Sequence, residues 1–366
     1  MVSLLSCKDY TLEKLREVLT QSFDNLGGVK KYIKPGQRVL LKPNLLMKKT
    51  PEKATTTHPM FVAALAQIII AAGATVTIAD SPGGFYSEGV LKGLYSTCGM
   101  TQAAEISGAT LNYDTSFREV TYKEGRTSNV FSVISPVFEH DMVISVAKLK
   151  THGLTTYTGA VKNLFGTVPG VNKAEYHLRF PDMNMFCGAI VDLCEYVSPK
   201  LSFIDGIVGM EGEGPSGGNP REIGAVIASD SPHEADVVAS GLIGLDIKDV
   251  PTLKIAVENG ICPQEFEVVG DEFEPIVDFK MPPNKLADLS GGSAMKVLRK
   301  MFAPKPVFDR KLCVQCGECV RCCPAKAIEL VPFPKVDMKK CIRCFCCQEL
   351  CPKVAVKIKR MKLLSK

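Results

Sequence analysis

Short apolar runs alternate with helix-length amphipathic segments from the N-terminus to Lys280. Thr75–Ala79 is a β-branched run of strand length, and it follows Pro59–Ala72, where apolar side chains recur at helical spacing. Strands are also expected at Arg38–Leu41, Met142–Ala147 and Leu201–Ile204. Alternation of this kind is typical of a parallel sheet with helices on both faces. The pattern therefore predicts an α/β domain with a mostly parallel sheet.

Polar side chains follow these strands at the points where the strands are expected to end. They are Lys42 and Asn44, Asp80 and Ser81, Lys148, Lys150 and His152, and Asp205. Ligands of open α/β sheets bind in the crevice outside the carboxyl ends of the strands. Lysines grouped with a histidine favour an anionic ligand. The two aspartates could hold a cation or orient the lysines.

These residues divide by chemistry into two expected roles. The catalytic residues, which would bind, protonate or orient, are expected to be Lys148, Lys150, His152 and Asp80. The residues that position the ligand or cofactor are expected to be Lys42, Asn44 and Ser81. Lys162 and Asn163 join this second group, because a Lys-Asn pair near a helix start could bind a phosphate or carboxylate. A capped helix with an exposed lysine is the alternative for that pair.

The glycines at 212, 214 and 217 have the spacing of a dinucleotide-binding loop. Pro215 and Pro220 interrupt the region where the helix of that motif must begin, and a strand is expected at Ile223–Ala228 instead. We therefore expect a mobile loop over the crevice, with Gly212 and Gly214 contributing to cofactor binding.

The C-terminal part of the chain contains two copies of the spacing Cys-x2-Cys-x2-Cys-x3-Cys-Pro. In two-cluster ferredoxins the first three cysteines of a copy ligate one 4Fe–4S cluster, and the fourth ligates the other cluster. Cluster one is then expected to be held by Cys313, Cys316, Cys319 and Cys351. Cluster two is expected to be held by Cys341, Cys344, Cys347 and Cys323. A zinc ribbon would need only four ligands, in two widely separated pairs.

The two copies are related by one constant shift along the chain, which aligns Asp309 with Asp337 and Ala327 with Ala355. Such a repeat suits crossed ligation, because each half lends its last cysteine to the other. Cys322 and Cys346 fall outside the ligand register and are expected to pack as small apolar residues. The region resembles bacterial two-cluster ferredoxins, which implies a small α+β domain over residues 307–360.

The composition limits the class of protein. A hydrophobic content of 46% with 23% charged residues is typical of a globular protein, and no apolar run is long enough for a transmembrane span. The N-terminus lacks the pattern of a signal peptide, so a reducing cytoplasm is expected. Residues 281–306, rich in proline and glycine, are expected to form a linker with one short helix at Ala294–Phe302.

Positive charge is concentrated at the C-terminal end. From Phe308 onwards there are fourteen Lys or Arg residues against five Asp or Glu, and residues 361–366 form a basic tail. This charge could dock an acidic redox partner or a membrane surface, or it could be a solvated terminus. No interleaved aromatic residues of the kind found in nucleic-acid grooves are present, so nucleic-acid binding is not expected.

Several segments of the large domain together resemble one known family. They are Val39–Asn44, Thr57–Pro59, Ala79–Gly83, Val146–His152 and Gly212–Pro215. In this order they are similar to the domain-of-unknown-function family 362, whose members often carry a fused C-terminal ferredoxin module. The resemblance implies an α/β domain from prokaryotic, often anaerobic, iron–sulfur proteins. It implies no reaction.

Two functions are compatible with these patterns. In the first, the chain is an oxidoreductase whose two 4Fe–4S clusters pass electrons to an anionic substrate or cofactor, such as a phosphate ester, a carboxylate or a flavin, at the sheet edge. In the second, it is a non-catalytic electron-transfer or assembly module whose α/β domain recognises a protein partner. Both require a redox partner protein.

Overall fold

A computed structural model describes residues 1–170, 172–263, 265–282 and 304–359. The expected linker helix at Ala294–Phe302 and the basic tail at 361–366 lie outside the described residues. Within the described ranges, no helix is long and apolar enough to cross a membrane.

The strands of the described chain are β1 Val2–Ser6, β2 Arg38–Pro43, β3 Thr75–Ile78, β4 Thr110–Leu111, β5 Phe117–Thr121, β6 Val130–Ile134, β7 Met142–His152, β8 Thr156–Thr158, β9 Leu201–Glu211, β10 Asn219–Ser229, β11 Val268–Gly270, β12 Lys305–Phe308, β13 Ile328–Leu330, β14 Pro334–Val336 and β15 Val356–Lys359.

The α-helices are α1 Leu12–Asn25, α2 Val29–Tyr32, α3 Pro59–Ala71, α4 Glu88–Thr97, α5 Met100–Ser107, α6 Pro136–Glu139, α7 Ala160–Asn163, α8 Asn172–Arg179, α9 Met183–Val197, α10 Pro232–Leu242, α11 Pro251–Glu258, α12 Glu318–Arg321 and α13 Cys346–Glu349. Short 3-10 turns occur at Pro51–Lys53, Leu164–Thr167 and Ile247–Asp249.

The large domain is built on one mixed sheet with the strand order β11-β1-β10-β9-β7-β2-β3-β4, and β8 pairs with β7. The five neighbouring strands β9, β7, β2, β3 and β4 are parallel to one another. Strand β10 is antiparallel to β9 and to β1, and β11 returns parallel to β1. The prediction of a mostly parallel sheet is therefore confirmed.

Helices cover both faces of this sheet. Val39 and Leu41 of β2 pack in a core with α1, α3 and α5, whereas Leu40 points into a second core with α7 and α9. All three side chains are fully buried. Because successive side chains of a strand point to opposite faces, a strand buried on both faces is apolar without alternation. This is why β2 reads as a continuous apolar run in the sequence.

Residues 304–359 form a small module with an internal repeat. Strand β12 pairs antiparallel with β15, and β13 pairs antiparallel with β14. Equivalent backbone hydrogen bonds recur in the two copies, from Asp309 N to Ala355 O at 2.7 Å and from Asp337 N to Ala327 O at 2.8 Å. Each half of the repeat is thereby joined to the other half.

Left-handed backbone conformations also repeat between the copies. Gln315 and Arg343 have φ angles of 57° and 58°, and Lys326 and Val354 have φ angles of 46° and 52°. Such angles are unfavourable for residues with a Cβ atom, so their repetition indicates that the fold imposes them. Gln315 and Arg343 bend the chain between the first two cysteines of each copy, and Lys326 and Val354 bend it just after the last cysteine.

Candidate ligand cavity and cluster sites

Strand β7 is longer than the sequence indicated. We expected it to end at Ala147, with Lys148, Lys150 and His152 beyond it, but it continues to His152, and all eleven of its residues are buried. The extension is paired on one side by β8, with Lys150 opposite Thr158 and His152 opposite Thr156. Strand β9 likewise continues past Asp205 to Glu211. The expectation that these four polar residues follow strand ends is therefore wrong, and it is also wrong for Lys42, which lies within β2. They lie within the strands.

Lys148 is held in a closed cluster. Its Nζ lies 2.8 Å from Asp205 Oδ2 and 2.9 Å from the hydroxyl of Tyr10, which itself donates to Asp205 Oδ1 at 2.8 Å. The side chains of Lys148 and Asp205 are 1% and 0% exposed. Burial lowers the pKa of Lys148, and the carboxylate of Asp205 opposes this shift. Neither Lys148 nor Asp205 lines the cavity described below. We therefore interpret Lys148 as a residue that stabilises the fold.

Lys42 and Asp80 form a second buried ion pair, with Nζ and Oδ1 2.6 Å apart. Asn163 accepts from Lys42 Nζ at 3.0 Å and donates to Lys42 O at 2.8 Å. A Cβ atom at Gly166 would overlap both Asp80 and Lys42, so this position must be glycine for the pair to form. Burial lowers the pKa of Lys42, and Asp80 opposes the shift.

Lys150 has a different environment, although it lies two residues from Lys148 on the same face of β7. Its Nζ donates to Asn44 Oδ1 at 2.9 Å and to Thr55 O at 2.6 Å. Within the described part of the chain no carboxylate pairs with it. Burial lowers its pKa to about 7, and the negative charges of Glu349 and Asp80 offset only part of this shift.

His152 presents one ring nitrogen that lacks a hydrogen-bond partner. Its Nδ1 accepts from Leu154 N at 3.0 Å and from Thr155 N at 3.3 Å, so the neutral ring carries its hydrogen on Nε2. Among the described residues Nε2 has no hydrogen-bond acceptor, and it lies 3.8 Å from Glu349 Oε2. Burial holds the pKa of His152 well below its usual range. The ring is therefore a neutral donor at pH 7.

These side chains line a cavity of about 180 Å³. Ser81 Oγ, Thr158 Oγ1 and His152 Nε2 are buried at its wall, and none has a hydrogen-bond partner in the described chain. Lys162, on α7, also lines the cavity and has no acceptor within the described ranges. Its Nζ lies 5.5 Å from the centroid of the Phe165 ring. Unpartnered buried donors and a free cation are what an anionic ligand would require.

Helix α8 adds two residues that the sequence interpretation missed. Lys173 donates to Ser81 O, and to Pro82 O at 3.1 Å, and burial lowers its pKa to about 7. His177 stacks on Phe186 with ring centroids 4.3 Å apart, and burial lowers its pKa to about 3. Both line the cavity, four residues apart on one helix face. That spacing was the signal available in the sequence.

The ferredoxin-like module closes the other side of the cavity. The cavity is lined by three pairs of residues that occupy equivalent positions in the two copies, namely Glu318 and Cys346, Arg321 and Glu349, and Cys322 and Leu350. These belong to or follow α12 and α13, so the cavity faces the pseudo-twofold axis of the module. Gly83 permits this contact, because a Cβ atom there would overlap Leu350. Cys322 and Cys346, expected as packing residues, both reach the cavity wall.

Two smaller cavities lie within the module. The first is lined by Cys313, Cys316, Cys319 and Cys351, together with Glu318. The second is lined by Cys323, Cys341, Cys344 and Cys347, together with Cys346. Four thiols around each cavity are the donor set of a 4Fe–4S cluster, and backbone N–H groups of Ala327 and Ala355 point at Cys323 Sγ and Cys351 Sγ from 3.2 Å. The residues therefore fit such clusters. Glu318 and Cys346 each separate a thiol cavity from the ligand cavity.

The glycine loop does not reach the ligand cavity through Gly212 or Gly214, although Pro215 lines it. A Cβ atom at Gly214 would overlap the backbone of Thr151, so this glycine permits close packing on β7. The loop instead contacts the module. Ser216 Oγ donates to Glu349 O at 2.6 Å, and Glu213 pairs with Lys357 at 3.1 Å.

A separate group of possible metal ligands lies between α9 and α10. Donor atoms of Cys194, Glu195 and His233 lie within 4.8 Å of one another. His233 Nε2 and Glu195 Oε1 are already 2.9 Å apart, and burial raises the pKa of the Cys194 thiol well above its usual range. Because His233 and Glu195 already pair with each other, we interpret this group as part of the core.

Comparison with known proteins matches the C-terminal module and the α/β domain to two separate families. The C-terminal module is an iron–sulfur domain: residues 305–352 match the 4Fe–4S dicluster domain family. Residues 39–241 match the family described as Domain of unknown function (DUF362). The chain is also 35% identical over 309 residues to "Thylakoid-associated protein sll1697" of Synechocystis sp., covering 82% of this chain and 93% of that protein. The chain therefore belongs to the DUF362 family.

One solved structure has a similar fold. It is the lactate racemase apoprotein from Thermoanaerobacterium thermosaccharolyticum, with a TM-score of 0.42 and 10% sequence identity. The similarity covers 66% of this chain and 56% of that structure.

Proposed function

We propose that this protein is an iron–sulfur oxidoreductase that exchanges electrons between two 4Fe–4S clusters and a small anionic ligand bound in the cavity between its two parts. The clusters would be held by the two cysteine quartets that line the smaller cavities. When bound, they supply one-electron transfer. A reducing cytoplasm suits this role, because none of the fifteen cysteines is in a disulfide.

The observation that carries the proposal is the composite wall of the ligand cavity. One side offers unpartnered donors from the α/β domain, and the other side belongs to the module and includes one residue from the wall of each thiol cavity. A ligand in this space would be separated from each cluster site by a single side chain, Glu318 or Cys346. A site for docking a protein would instead be expected on an exposed surface.

The residues that line the cavity would have different roles. Lys150 and Lys162 would bind the anion, and the hydroxyls of Ser81 and Thr158 would donate hydrogen bonds to its oxygens. His152 would hold a proton at Nε2 towards the ligand, with Glu349 3.8 Å away. Asn44 would orient Lys150, since its Oδ1 accepts from Nζ at 2.9 Å.

The roles first expected for two residues change. Lys148 is paired with Asp205 away from the cavity, and we assign it to stability rather than catalysis. Asp80 would act by holding Lys42 and by accepting from Leu45 N at 2.7 Å, which fixes the loop after β2. The ligand would carry a carboxylate or phosphate group for these residues to bind.

Anaerobic purification followed by native mass spectrometry tests this proposal. Wild-type protein is expected to retain a small anion, and Lys150→Met or His152→Phe is expected to lose it with the iron content unchanged. Lys200→Met, at an exposed position that does not line the cavity, is the matched control and should keep the ligand. A different result would favour partner recognition by the α/β domain. In that case no variant binds a small molecule, and the substitutions reduce only the electron transfer to an added partner protein.

A further inference from the structure

One of the two thiol cavities has an exposed cysteine in its wall. Of the eight cysteines in the quartets, Cys316 is exposed, whereas the other seven are half-buried or buried. Two apolar side chains beside it are also exposed, Leu312 by 45% and Val314 by 58%. Exposed apolar residues next to a redox site are a feature of protein–protein contact surfaces.

Lysines from both parts of the molecule gather beside the same cavity. Lys49 of the α/β domain donates from Nζ to Pro352 O at 3.1 Å, next to Cys351. Burial lowers the pKa of Lys49, and the nearby charges of Lys53 and Lys353 lower it further, although Cys351 opposes this. Lys353 follows Pro352 directly and lines the same thiol cavity, so Lys49 and Lys353 lie in one region. Lys53 is four residues from Lys49 in the chain and exposed.

This positive charge is compensated only in part. In the described residues no carboxylate lies within ion-pair distance of Lys49, Lys53 or Lys353. The same holds for Arg310 and Lys311, which are exposed just before Leu312. The carboxylate of Asp309 accepts from the backbone N of Lys311 at 2.9 Å but forms no ion pair. Glu52 lies beside Lys53, and Asp309 lies beside Arg310, so five basic side chains face two carboxylates and the surface is net basic.

The pseudo-equivalent surface at the second thiol cavity differs. Leu312 corresponds to Lys340, which lies 4.0 Å from Asp337, and Val314 corresponds to Ile342, which is 36% exposed. Cys344, equivalent to Cys316, is half-buried. The repeat alone would make the two surfaces alike. The difference therefore indicates that one of them has a separate use.

We propose that an acidic one-electron carrier protein docks on the surface formed by Leu312, Val314, Cys316, Lys49, Lys53 and Lys353, and reduces the cluster held at Cys313, Cys316, Cys319 and Cys351. In each encounter the carrier loses one electron and the cluster gains one, with no transfer of protons or groups. Negative charge on the carrier matches the lysines, and the two exposed apolar side chains form the centre of the contact. This inference goes beyond the ligand cavity and does not depend on the identity of the ligand.

The test uses the full chain with reconstituted clusters and a small acidic [2Fe–2S] ferredoxin as the probe. Lys53→Glu with Lys353→Glu reverses two exposed charges without touching a cysteine. At low ionic strength the second-order rate constant for cluster reduction should fall on the order of tenfold, and this loss should shrink as salt is added. Calorimetry should show a matching loss of affinity between the two oxidised proteins.

The control is Lys30→Glu with Lys200→Glu, two exposed lysines of the α/β domain that change the net charge equally. It should retain the wild-type rate and affinity, and dithionite should reduce all proteins equally. Val314→Asp, at an exposed position, should weaken carrier binding on its own. Equal effects of the two charge reversals, or a wild-type protein that the acidic probe neither binds nor reduces, would overturn the proposal.

Discussion

Lys148 and Lys150 lie two positions apart on β7, on the same face and almost equally buried, yet their environments are opposite. Lys148 has a carboxylate partner and a tyrosine, and its cluster is closed. Lys150 has two neutral acceptors and borders a cavity whose other polar groups lack partners. Burial by itself therefore does not distinguish a structural lysine from a functional one. The distinction lies in whether the surrounding charges and hydrogen bonds are complete.

The largest expected effect is on stability. Lys148→Met leaves Asp205 buried without its cation, and we expect the free energy of unfolding of the α/β domain to fall by about 3–5 kcal/mol. Lys150→Met removes a cation that has no carboxylate partner, and the change should stay within about 1 kcal/mol. Urea denaturation monitored by circular dichroism measures both. Equal destabilisation by the two substitutions would show that the two environments are not different in kind.

Ligand affinity should respond in the reverse order. Lys150→Met should weaken binding of the ligand identified by mass spectrometry on the order of a hundredfold, because it removes a charge-assisted hydrogen bond in a desolvated site. Lys148→Arg, which keeps the charge beside Asp205, should leave that affinity near wild type in the folded protein. Calorimetric titration under anaerobic conditions gives both values. A stronger effect at position 148 would reverse the assignment.

Much of the architecture could be predicted from the sequence because it depends on local patterns. The starts of β2, β3, β7 and β9 are marked by apolar runs, and the two cysteine quartets follow one internal repeat. The ends of β7 and β9 were missed, because the predicted strands stopped at their first charged residue, whereas each strand continues and pairs with the next strand in the chain. Thr158 of β8, for example, lies opposite Lys150.

The cavity was predicted only in part. Lys150, His152 and Ser81 were identified from their positions near strand ends. Thr158, Lys173 and Glu349 were not, because their place in the wall depends on packing between helix, hairpin and module. The pairing of Lys148 with Asp205 also requires the register between β7 and β9, which places the two residues opposite each other. No local pattern encodes that register.

A substitution at Gly166 in the cavity wall should have an effect of intermediate size on stability and ligand binding. Gly166→Ala would force a Cβ atom into Lys42 and Asp80, and we expect a loss of about 1–3 kcal/mol in stability together with weaker ligand binding. Gly89→Ala is the control, since nothing lies within 4 Å of the added atom and the residue is helical. It should be neutral or slightly stabilising. Thermal unfolding of the two variants shows whether the wall tolerates added volume.

The pH dependence should be the effect most specific to the buried lysines. Burial lowers the pKa of Lys150 and of Lys173 to about 7, whereas the unfolded chain keeps both protonated to about 10.5. The unfolded state therefore binds more protons between these values, and the contribution of both lysines to stability rises with pH across that window. Ligand affinity should change in the opposite sense and fall as pH rises above 7, because an anion favours the protonated lysines.

This pH effect can be assigned to one residue. Binding of the anion at pH 7.5 should take up protons, measured by calorimetry in buffers of different ionisation enthalpy, and Lys150→Met should reduce the uptake. His152 should not contribute, since its pKa lies well below this range. Uptake that is unchanged in the Lys150 variant would place the titrating group elsewhere.

The central claim is that electrons pass between the clusters and a ligand in the shared cavity, and single-turnover oxidation tests it most directly. Wild-type protein with reduced clusters would be mixed anaerobically with the ligand recovered from it, in its oxidised form, and followed by electron paramagnetic resonance after rapid freezing. We predict that the reduced-cluster signal disappears in wild type and persists at least tenfold longer in Lys150→Met at equal iron content. Identical decay in the two proteins, or no decay in wild type, would contradict the account.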